Sequence, residues 1–129
     1  MKLRIDWSEV DSFNHVNNVA FFKYIQAARI RLCGYAGLAT SSKDRQPGFM
    51  VVSAKCDFSL PLTFPGSITI DTQVVKIGST SVGIKHRLYD ESDNLVAVGD
   101  DVIVIYDFDQ MVKVTIDQKL KSTLMKLKE

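Results

Sequence analysis

The spacing of apolar residues changes from helical to extended at a polar loop over residues 40–48. Before this loop, apolar and charged residues alternate from 2 to 7, which predicts a short first strand. After it, apolar residues alternate with polar ones in four long runs, which predict antiparallel strands joined in a meander. The predicted strands cover Met50 to Leu60, Ile68 to Val74, Val82 to Leu88 and Leu95 to Tyr106.

Between the first strand and the polar loop, apolar residues recur every three or four positions from 18 to about 38. This spacing predicts one long helix, which Asn17 or Asn18 can cap and Gly34 or Gly37 can end. Because further apolar side chains lie outside the main stripe, the helix should be covered on most sides. We expect one α+β domain over residues 1–129, in which a curved antiparallel sheet wraps the helix and its open edge favours a second copy.

Two later segments are less regular. Gly99, Asp100 and Asp101 interrupt the last long strand, and this predicts a bulge there. Residues 117–128 predict a terminal amphipathic helix or a frayed tail.

Composition limits the partners of the chain. Its 16 basic and 15 acidic side chains give a formal charge of +1, so nucleic acid is not expected as a partner. No apolar run reaches membrane-spanning length, and we expect no membrane insertion and a cytoplasmic location. Cys33 and Cys56 stand in apolar contexts, which favours buried, unreactive thiols. Neither these cysteines nor His15 and His86 have the paired spacing of metal ligands, so no metal is expected.

The polar residues that open the long helix are the best candidates for a functional site. Residues 11–18 read Asp-Ser-Phe-Asn-His-Val-Asn-Asn. They place a carboxylate, an imidazole and side-chain amides beside the amino terminus of a helix. Such a terminus can stabilise developing negative charge, which favours a catalytic site.

This string and the aromatic helix after it resemble the hotdog-fold acyl-CoA thioesterases of the 4-hydroxybenzoyl-CoA thioesterase type. Residues 58–66, 76–81 and 98–107 are similar to the turns and last strand of that family, so the resemblance runs from about Leu3 to about Asp109. One position departs, because the family commonly has Asp where this chain has Ser67. The resemblance implies a hotdog fold, in which a long antiparallel sheet wraps one hydrophobic helix. It also implies a homodimer or homotetramer with active sites at the subunit boundary.

The resemblance further implies hydrolysis of acyl-CoA, with coenzyme A as part of the substrate and no separate cofactor. Asp11 would act as a nucleophile or as a general base for water. Backbone amides near Val16 to Asn18 can supply the oxyanion hole at the helix start. The other candidate catalytic residues are His15 and Asn17, and the candidate substrate-binding residues are Val16, Asn18, Phe21, Tyr24, Gly78, Ser79 and Thr80.

Each of these residues also has a structural interpretation. Asp11 can accept hydrogen bonds from loop amides, His15 can bond to the backbone, and Asn17 can simply cap the helix. Phe21 and Tyr24 can pack in the core or between subunits. Residues 78–81 can form a plain hairpin turn.

Charged and polar residues on the strands also have two interpretations each. His86 alternates with apolar positions, so a satisfied core imidazole is expected there. Lys55, Lys85 and Arg87 can bind the phosphates of coenzyme A or can simply be solvated on strand faces.

Two other functions compete with hydrolysis. The chain could be a non-catalytic module that binds acyl-CoA or acyl carrier protein. It could also be a hydratase or dehydratase of the same fold, but the Asp-x-Asn-Pro-x-His pattern of some of those enzymes is absent. The sequence does not indicate the acyl group, or whether the carrier is coenzyme A or a protein.

Overall fold

The computed structural model describes residues 1–41 and 47–128. Most of the polar loop predicted at 40–48 lies at 42–46, outside the described residues. The elements in chain order are β1 (Lys2–Arg4), a 3-10 helix (Trp7–Glu9), α1 (Asn18–Tyr35), β2 (Gly48–Phe58), β3 (Ser67–Ile77), β4 (Ser81–Tyr89), β5 (Leu95–Asp107), β6 (Val112–Lys113) and α2 (Gln118–Lys126).

The strands of the described residues form one antiparallel sheet in the order β1-β3-β4-β5-β2, and β6 pairs with the end of β5. The sheet curls around α1, whose buried side chains pack against inward residues of β3, β4 and β5. The approach is tight at Gly99, where an added Cβ would lie 2.6 Å from Cδ1 of Ile25. The predicted α+β hotdog architecture is therefore confirmed.

The ends of α1 follow from its sequence. Asn17 caps the start, because its Oδ1 accepts a hydrogen bond from the Ala20 amide at 2.8 Å. Gly37 follows the end with a φ of 86°, and the Leu38 amide donates to the Cys33 carbonyl oxygen at 3.0 Å. A positive φ favours glycine, so Gly37 is the residue that lets the chain leave the helix.

Two predictions of strand structure are wrong. The first strand ends at Arg4, and Trp7 lies in the 3-10 helix with 73% of its surface exposed. Asp6 caps that helix by accepting from the Ser8 amide at 2.8 Å, which ends the extended backbone. The bulge predicted at 99–101 is also absent there, since those residues pair without a break, and β2 carries an extra residue at Val52 instead.

The carboxyl-terminal segment is a helix rather than a frayed tail. Asp117 caps α2 by accepting from the Leu120 amide at 2.8 Å. Leu124 is fully buried, and the Val74 amide of β3 donates to the Leu127 carbonyl oxygen at 2.9 Å. None of the helices that the structure describes is long and apolar enough to cross a membrane.

A row of polar side chains divides the core under α1 into two apolar clusters. His86 is fully buried, with Nδ1 2.8 Å from Oγ1 of Thr72 and Nε2 2.7 Å from Oδ2 of Asp101. Arg29 of α1 donates to the same Asp101 oxygen at 2.9 Å. Burial raises the pKa of Asp101, but the hydrogen bonds from His86 and Arg29 outweigh burial and lower it. The satisfied core imidazole expected at His86 is confirmed.

Both cysteines are free thiols. Cys33 is buried, and Cys56 is half-buried on β2. Burial raises the pKa of Cys33 to about 12 and that of Cys56 to about 11. Because the thiolate is the reactive form, neither group is activated at neutral pH.

Candidate active site

The candidate carboxylate, Asp11, lies at the start of a tight turn that ends at His15. The Asp11 amide donates to the His15 carbonyl oxygen at 2.8 Å. Oδ1 of Asp11 accepts from the amides of Phe13 and His15 at 2.9 and 3.1 Å. Oδ2 has no hydrogen-bond partner among the residues that the structure describes. The turn therefore fixes one carboxylate oxygen and leaves the other available, on an exposed side chain.

Several contacts dock this turn on the loop that precedes β3. The Val16 amide donates to the Leu62 carbonyl oxygen at 2.7 Å, and Nδ2 of Asn14 donates to the Phe64 carbonyl oxygen at 2.9 Å. His15 forms a β-bridge with Thr63. The His15 ring is exposed and makes no hydrogen bond to the described residues. The turn is thus attached through its backbone and the Asn14 side chain, without a contribution from the imidazole.

The start of α1 offers fewer free amides than the sequence predicts. The Val16 amide is bonded to Leu62, and the Asn17 amide donates to the Glu9 carbonyl oxygen at 2.9 Å. Neither can also bind an oxyanion, so the donor role expected of them is not supported. The amides of Asn18 and Val19 have no acceptor within 1–41 and 47–128, as is usual for the first helical turn. An oxyanion hole at this terminus would use those two amides.

Three candidate site residues have structural roles in the single chain. Both side-chain ends of Asn17 are used, since Oδ1 caps α1 and Nδ2 donates to the Glu9 carbonyl oxygen at 2.9 Å. Phe21 and Tyr24 are each only 3% exposed. The Phe21 ring packs edge-on against Phe58 at a centroid distance of 5.1 Å. Capping by Asn17 and core packing by the two rings describe these residues better than direct substrate contact does.

Gly78, Ser79 and Thr80 form the turn between β3 and β4. The Gly78 amide donates to the Ser81 carbonyl oxygen at 2.8 Å, and the carbonyl oxygens of Ser79 and Thr80 accept from Ile116 and Ile105 at 2.8 and 2.9 Å. The Asp11 turn docks before the start of β3, whereas this turn follows its end. The 11 residues of β3 span about 35 Å at about 3.3 Å each. Within one chain, the two groups are therefore far apart.

Glu9, which the apolar pattern does not single out, links the Asp11 segment to α1. Its side chain is buried and accepts from the Tyr24 hydroxyl at 2.8 Å and from Nζ of Lys23 at 3.0 Å. It also accepts from the Asp6 amide at 2.7 Å. The spacing of Asp6 and Glu9 is that of a capping box, and this signal could have identified Glu9 from sequence.

The basic residues considered for phosphate binding all have neighbours on the sheet. Lys55 lies 3.4 Å from Asp57, and Lys85 lies 3.7 Å from Asp100. Arg87 donates to Oε1 of Gln73 at 2.9 Å. These contacts suit charged residues on strand faces better than a site prepared for a nucleotide.

Two cavities of the described chain are not lined by Asp11, although Leu62 and Thr63, which contact the Asp11 turn, line the second. One of about 240 Å³ lies between α1 and β3 and is lined in part by Tyr35 and Thr72. The other, of about 190 Å³, lies beside the loop at 61–67 and is lined in part by Asp90. Asp11 lines neither of these two cavities.

Comparison with known proteins identifies relatives over nearly the whole chain. A family model described as the thioesterase-like superfamily matches residues 5–124. The PA5185 protein of Pseudomonas aeruginosa strain PAO1 has a solved structure with a TM-score of 0.87 and 27% identity, covering 99% of this chain and 90% of that one. The structure of a predicted thioesterase from Bacillus stearothermophilus has a TM-score of 0.91 and 21% identity, covering 100% and 95%.

One curated protein also matches. The uncharacterized protein YsmA of Bacillus subtilis (strain 168) is 28% identical over 85 residues. These residues are 66% of this chain and 56% of YsmA, so the matched segment spans little more than half of that relative.

Proposed function

Because the chain belongs to the thioesterase-like superfamily, we propose that it hydrolyses acyl-CoA thioesters to a free acid and coenzyme A. The observation that carries this proposal is the Asp11 carboxylate. Two backbone amides hold its Oδ1, and its Oδ2 is free of partners in the described chain, on an exposed turn that leads into α1. A fixed oxygen nucleophile near a helix amino terminus matches what acyl transfer requires.

Two routes use the same geometry. In the nucleophilic route, Oδ2 of Asp11 attacks the thioester carbon, the C–S bond breaks, and water hydrolyses the mixed anhydride. In the general-base route, Asp11 takes a proton from a water molecule that attacks the carbon directly. Both routes pass through a tetrahedral oxyanion and release a thiolate, which leaves without a strong general acid.

The amides of Asn18 and Val19 are the proposed donors to that oxyanion. Removing one good donor of this kind typically costs on the order of 100-fold to 1000-fold in rate. The imidazole of His15 is proposed to orient the substrate, since its ring has no hydrogen bond within the described chain. Phe21 and Tyr24 would support the site indirectly, because their buried rings pack in the core beneath α1.

We further propose that the active site is completed by a second copy of the chain, in a homodimer or homotetramer. Asp11 lines neither cavity, and the turn at 78–80 lies at the far end of β3. Only the turn of another copy could approach Asp11. The edge strand β2 offers a pairing surface, because Met50, Val51 and Val52 are 39%, 36% and 52% exposed.

The test is thiol release from a panel of short, long and aromatic acyl-CoA thioesters, measured beside acyl-CoA binding by calorimetry. We expect release from at least one class of thioester, with turnover that is not removed by a metal chelator. Binding without thiol release from any member would overturn hydrolysis and favour the acyl-binding module. Sedimentation at assay concentrations tests the shared site, which a purely monomeric active enzyme would contradict.

A further inference from the structure

Glu9 is a buried carboxylate whose two side-chain oxygens are both used. Oε1 accepts from the Asp6 amide at 2.7 Å and from the Tyr24 hydroxyl at 2.8 Å, and Oε2 accepts from Nζ of Lys23 at 3.0 Å. Burial raises the pKa of the carboxyl, but these three donors outweigh burial and hold the pKa below the ordinary 4.5. Glu9 is 7% exposed, so no substrate can reach it in the single chain.

The main chain of Glu9 holds the helix cap. Its carbonyl oxygen accepts from both the backbone amide and Nδ2 of Asn17, each at 2.9 Å. Asn17 in turn accepts from the Ala20 amide at 2.8 Å. Glu9 therefore bonds the N-cap of α1 through its backbone and the second turn of α1 through its side chain.

These contacts clamp both ends of the segment that carries Asp11. Glu9 lies just before the segment and Asn17 just after it, while Val10 and Val16 pair as an isolated bridge between them. The position of Asp11 relative to the free amides of α1 is thus set at Glu9. Catalytic rates are sensitive to such placement, since a shift of about 1 Å can cost about 100-fold.

We propose that Glu9 is a positioning residue that fixes Asp11 against the amino terminus of α1 through Tyr24, Lys23 and Asn17. This inference rests on the proposed thioester hydrolysis. Glu9 takes no part in the chemistry itself, because its oxygens are buried and bonded. Its contribution would appear in turnover and in the order of residues 10–17, with little effect on substrate affinity.

The experiment compares Glu9→Gln and Tyr24→Phe with the wild-type protein. Glutamine keeps the size of the side chain but places an amide donor where Lys23 or Tyr24 also donates, and Tyr24→Phe removes a single hydroxyl. We expect kcat to fall about 10-fold to 100-fold with KM changed less than about threefold, because a displaced Asp11 would lose alignment rather than binding. Amide hydrogen exchange in residues 10–17 should accelerate about tenfold or more, because the segment opens more often once a hydrogen bond that holds it against α1 is lost.

The matched control is Asp117→Ala, which removes the cap of the distant helix α2. Even if it lowers the melting temperature as much as Glu9→Gln or Tyr24→Phe does, it should leave unchanged both kcat and the amide hydrogen exchange of residues 10–17. Wild-type kcat in Tyr24→Phe, or an equal loss of kcat in the Asp117 variant, would overturn the positioning role. If the wild type releases no thiol, hydrolysis itself fails, and unchanged exchange in Tyr24→Phe would still refute the clamp separately.

Discussion

Two turns of this protein, Asp11–His15 and Asp90–Asn94, share one backbone structure. In each, the aspartate amide donates to the carbonyl oxygen of the fifth residue, at 2.8 Å in the first turn and 3.0 Å in the second. In each, Oδ1 accepts from the amides two and four residues later. The fourth residues, Asn14 and Asp93, both have a φ of 61°.

The turns differ in what happens to the second carboxylate oxygen. Oδ2 of Asp90 accepts from Nδ2 of Asn94 at 3.1 Å, whereas Oδ2 of Asp11 has no partner in the described residues. The fifth residue decides this, because His15 stands where Asn94 supplies an amide. The two turns also connect different elements. The Asp90 turn joins β4 to β5, whereas the Asp11 turn runs into α1. The same backbone turn can therefore bond both oxygens of its aspartate, as at Asp90, or leave one of them without a partner in the described residues, as at Asp11.

The largest predicted effect on stability concerns a third aspartate, the buried Asp101. Asp101→Ala removes the partner of both Arg29 and His86, and it should destabilise the fold by about 3–5 kcal/mol, the usual cost of breaking a buried ion pair. Chemical denaturation would measure this loss.

Thr72→Val, which changes the residue that contacts the far side of the His86 ring, should leave turnover unchanged. Loss of turnover in a folded Thr72→Val protein would move the candidate site from the exposed turn to the buried row.

The two turns should respond alike to strain at the fourth residue. Asn14→Val and Asp93→Val each force a branched side chain into the left-handed region, which costs about 1–2 kcal/mol. Both should lower the melting temperature, but only the Asn14 variant should also lower kcat. Equal retention of kcat in the two variants would show that the geometry of the Asp11 turn does not matter for the reaction.

Replacing His15, the fifth residue of the Asp11 turn, by asparagine should give Oδ2 of Asp11 a hydrogen-bond donor. His15→Asn places an amide where Asn94 bonds its aspartate, and occupying Oδ2 of Asp11 should lower turnover about tenfold, equivalent to one net hydrogen bond of about 1.4 kcal/mol. His15→Ala is the control, since it removes the imidazole without adding a donor. Turnover as low in the alanine variant as in the asparagine variant would assign the loss to the missing ring.

The smallest effect is a pH dependence at Asp90. Amide hydrogen bonds from Asn94 and Ser92 hold its pKa below the ordinary 3.8. A carboxyl with a lowered folded-state pKa stabilises the fold above its unfolded pKa, and the contribution is lost as the pH falls through the folded value. The stability difference between wild type and Asp90→Asn should therefore be constant near neutral pH and shrink below about pH 3.8. Urea titrations at several pH values would check this, and a difference independent of pH would contradict it.

Much of the fold could be predicted because apolar spacing reports which side chains face the core. The long helix, its Asn17 cap and the four long strands follow from local pattern, and the structure confirms them. The pattern failed at Trp7, where alternation suggested a strand but the cap at Asp6 started a 3-10 helix. It also failed at Gly99, where the glycine makes room for Ile25 of a helix that is distant in sequence.

The candidate site was less predictable because it depends on contacts between separated residues. The string at 11–18 indicates Asp11, but it does not reveal that Val16 and Asn17 have already used their amides. The bonds that Glu9 accepts from Lys23 and Tyr24 join residues 14 and 15 positions apart, a separation that a local sequence pattern does not report. The contribution proposed for the turn at 78–80 would come from a second copy, and a pattern along one chain cannot place that copy.

The most direct test measures kcat/KM for thiol release in Asp11→Asn and Asp90→Asn beside the wild-type protein. Asparagine keeps the oxygen that accepts the backbone amides in both turns, so the scaffold should be preserved. We predict a loss on the order of 100-fold to 10,000-fold for the Asp11 variant, the range for a lost acid–base group, and a change of less than about twofold for the Asp90 variant. Wild-type kcat/KM in a folded Asp11→Asn protein would contradict a catalytic role for this carboxylate.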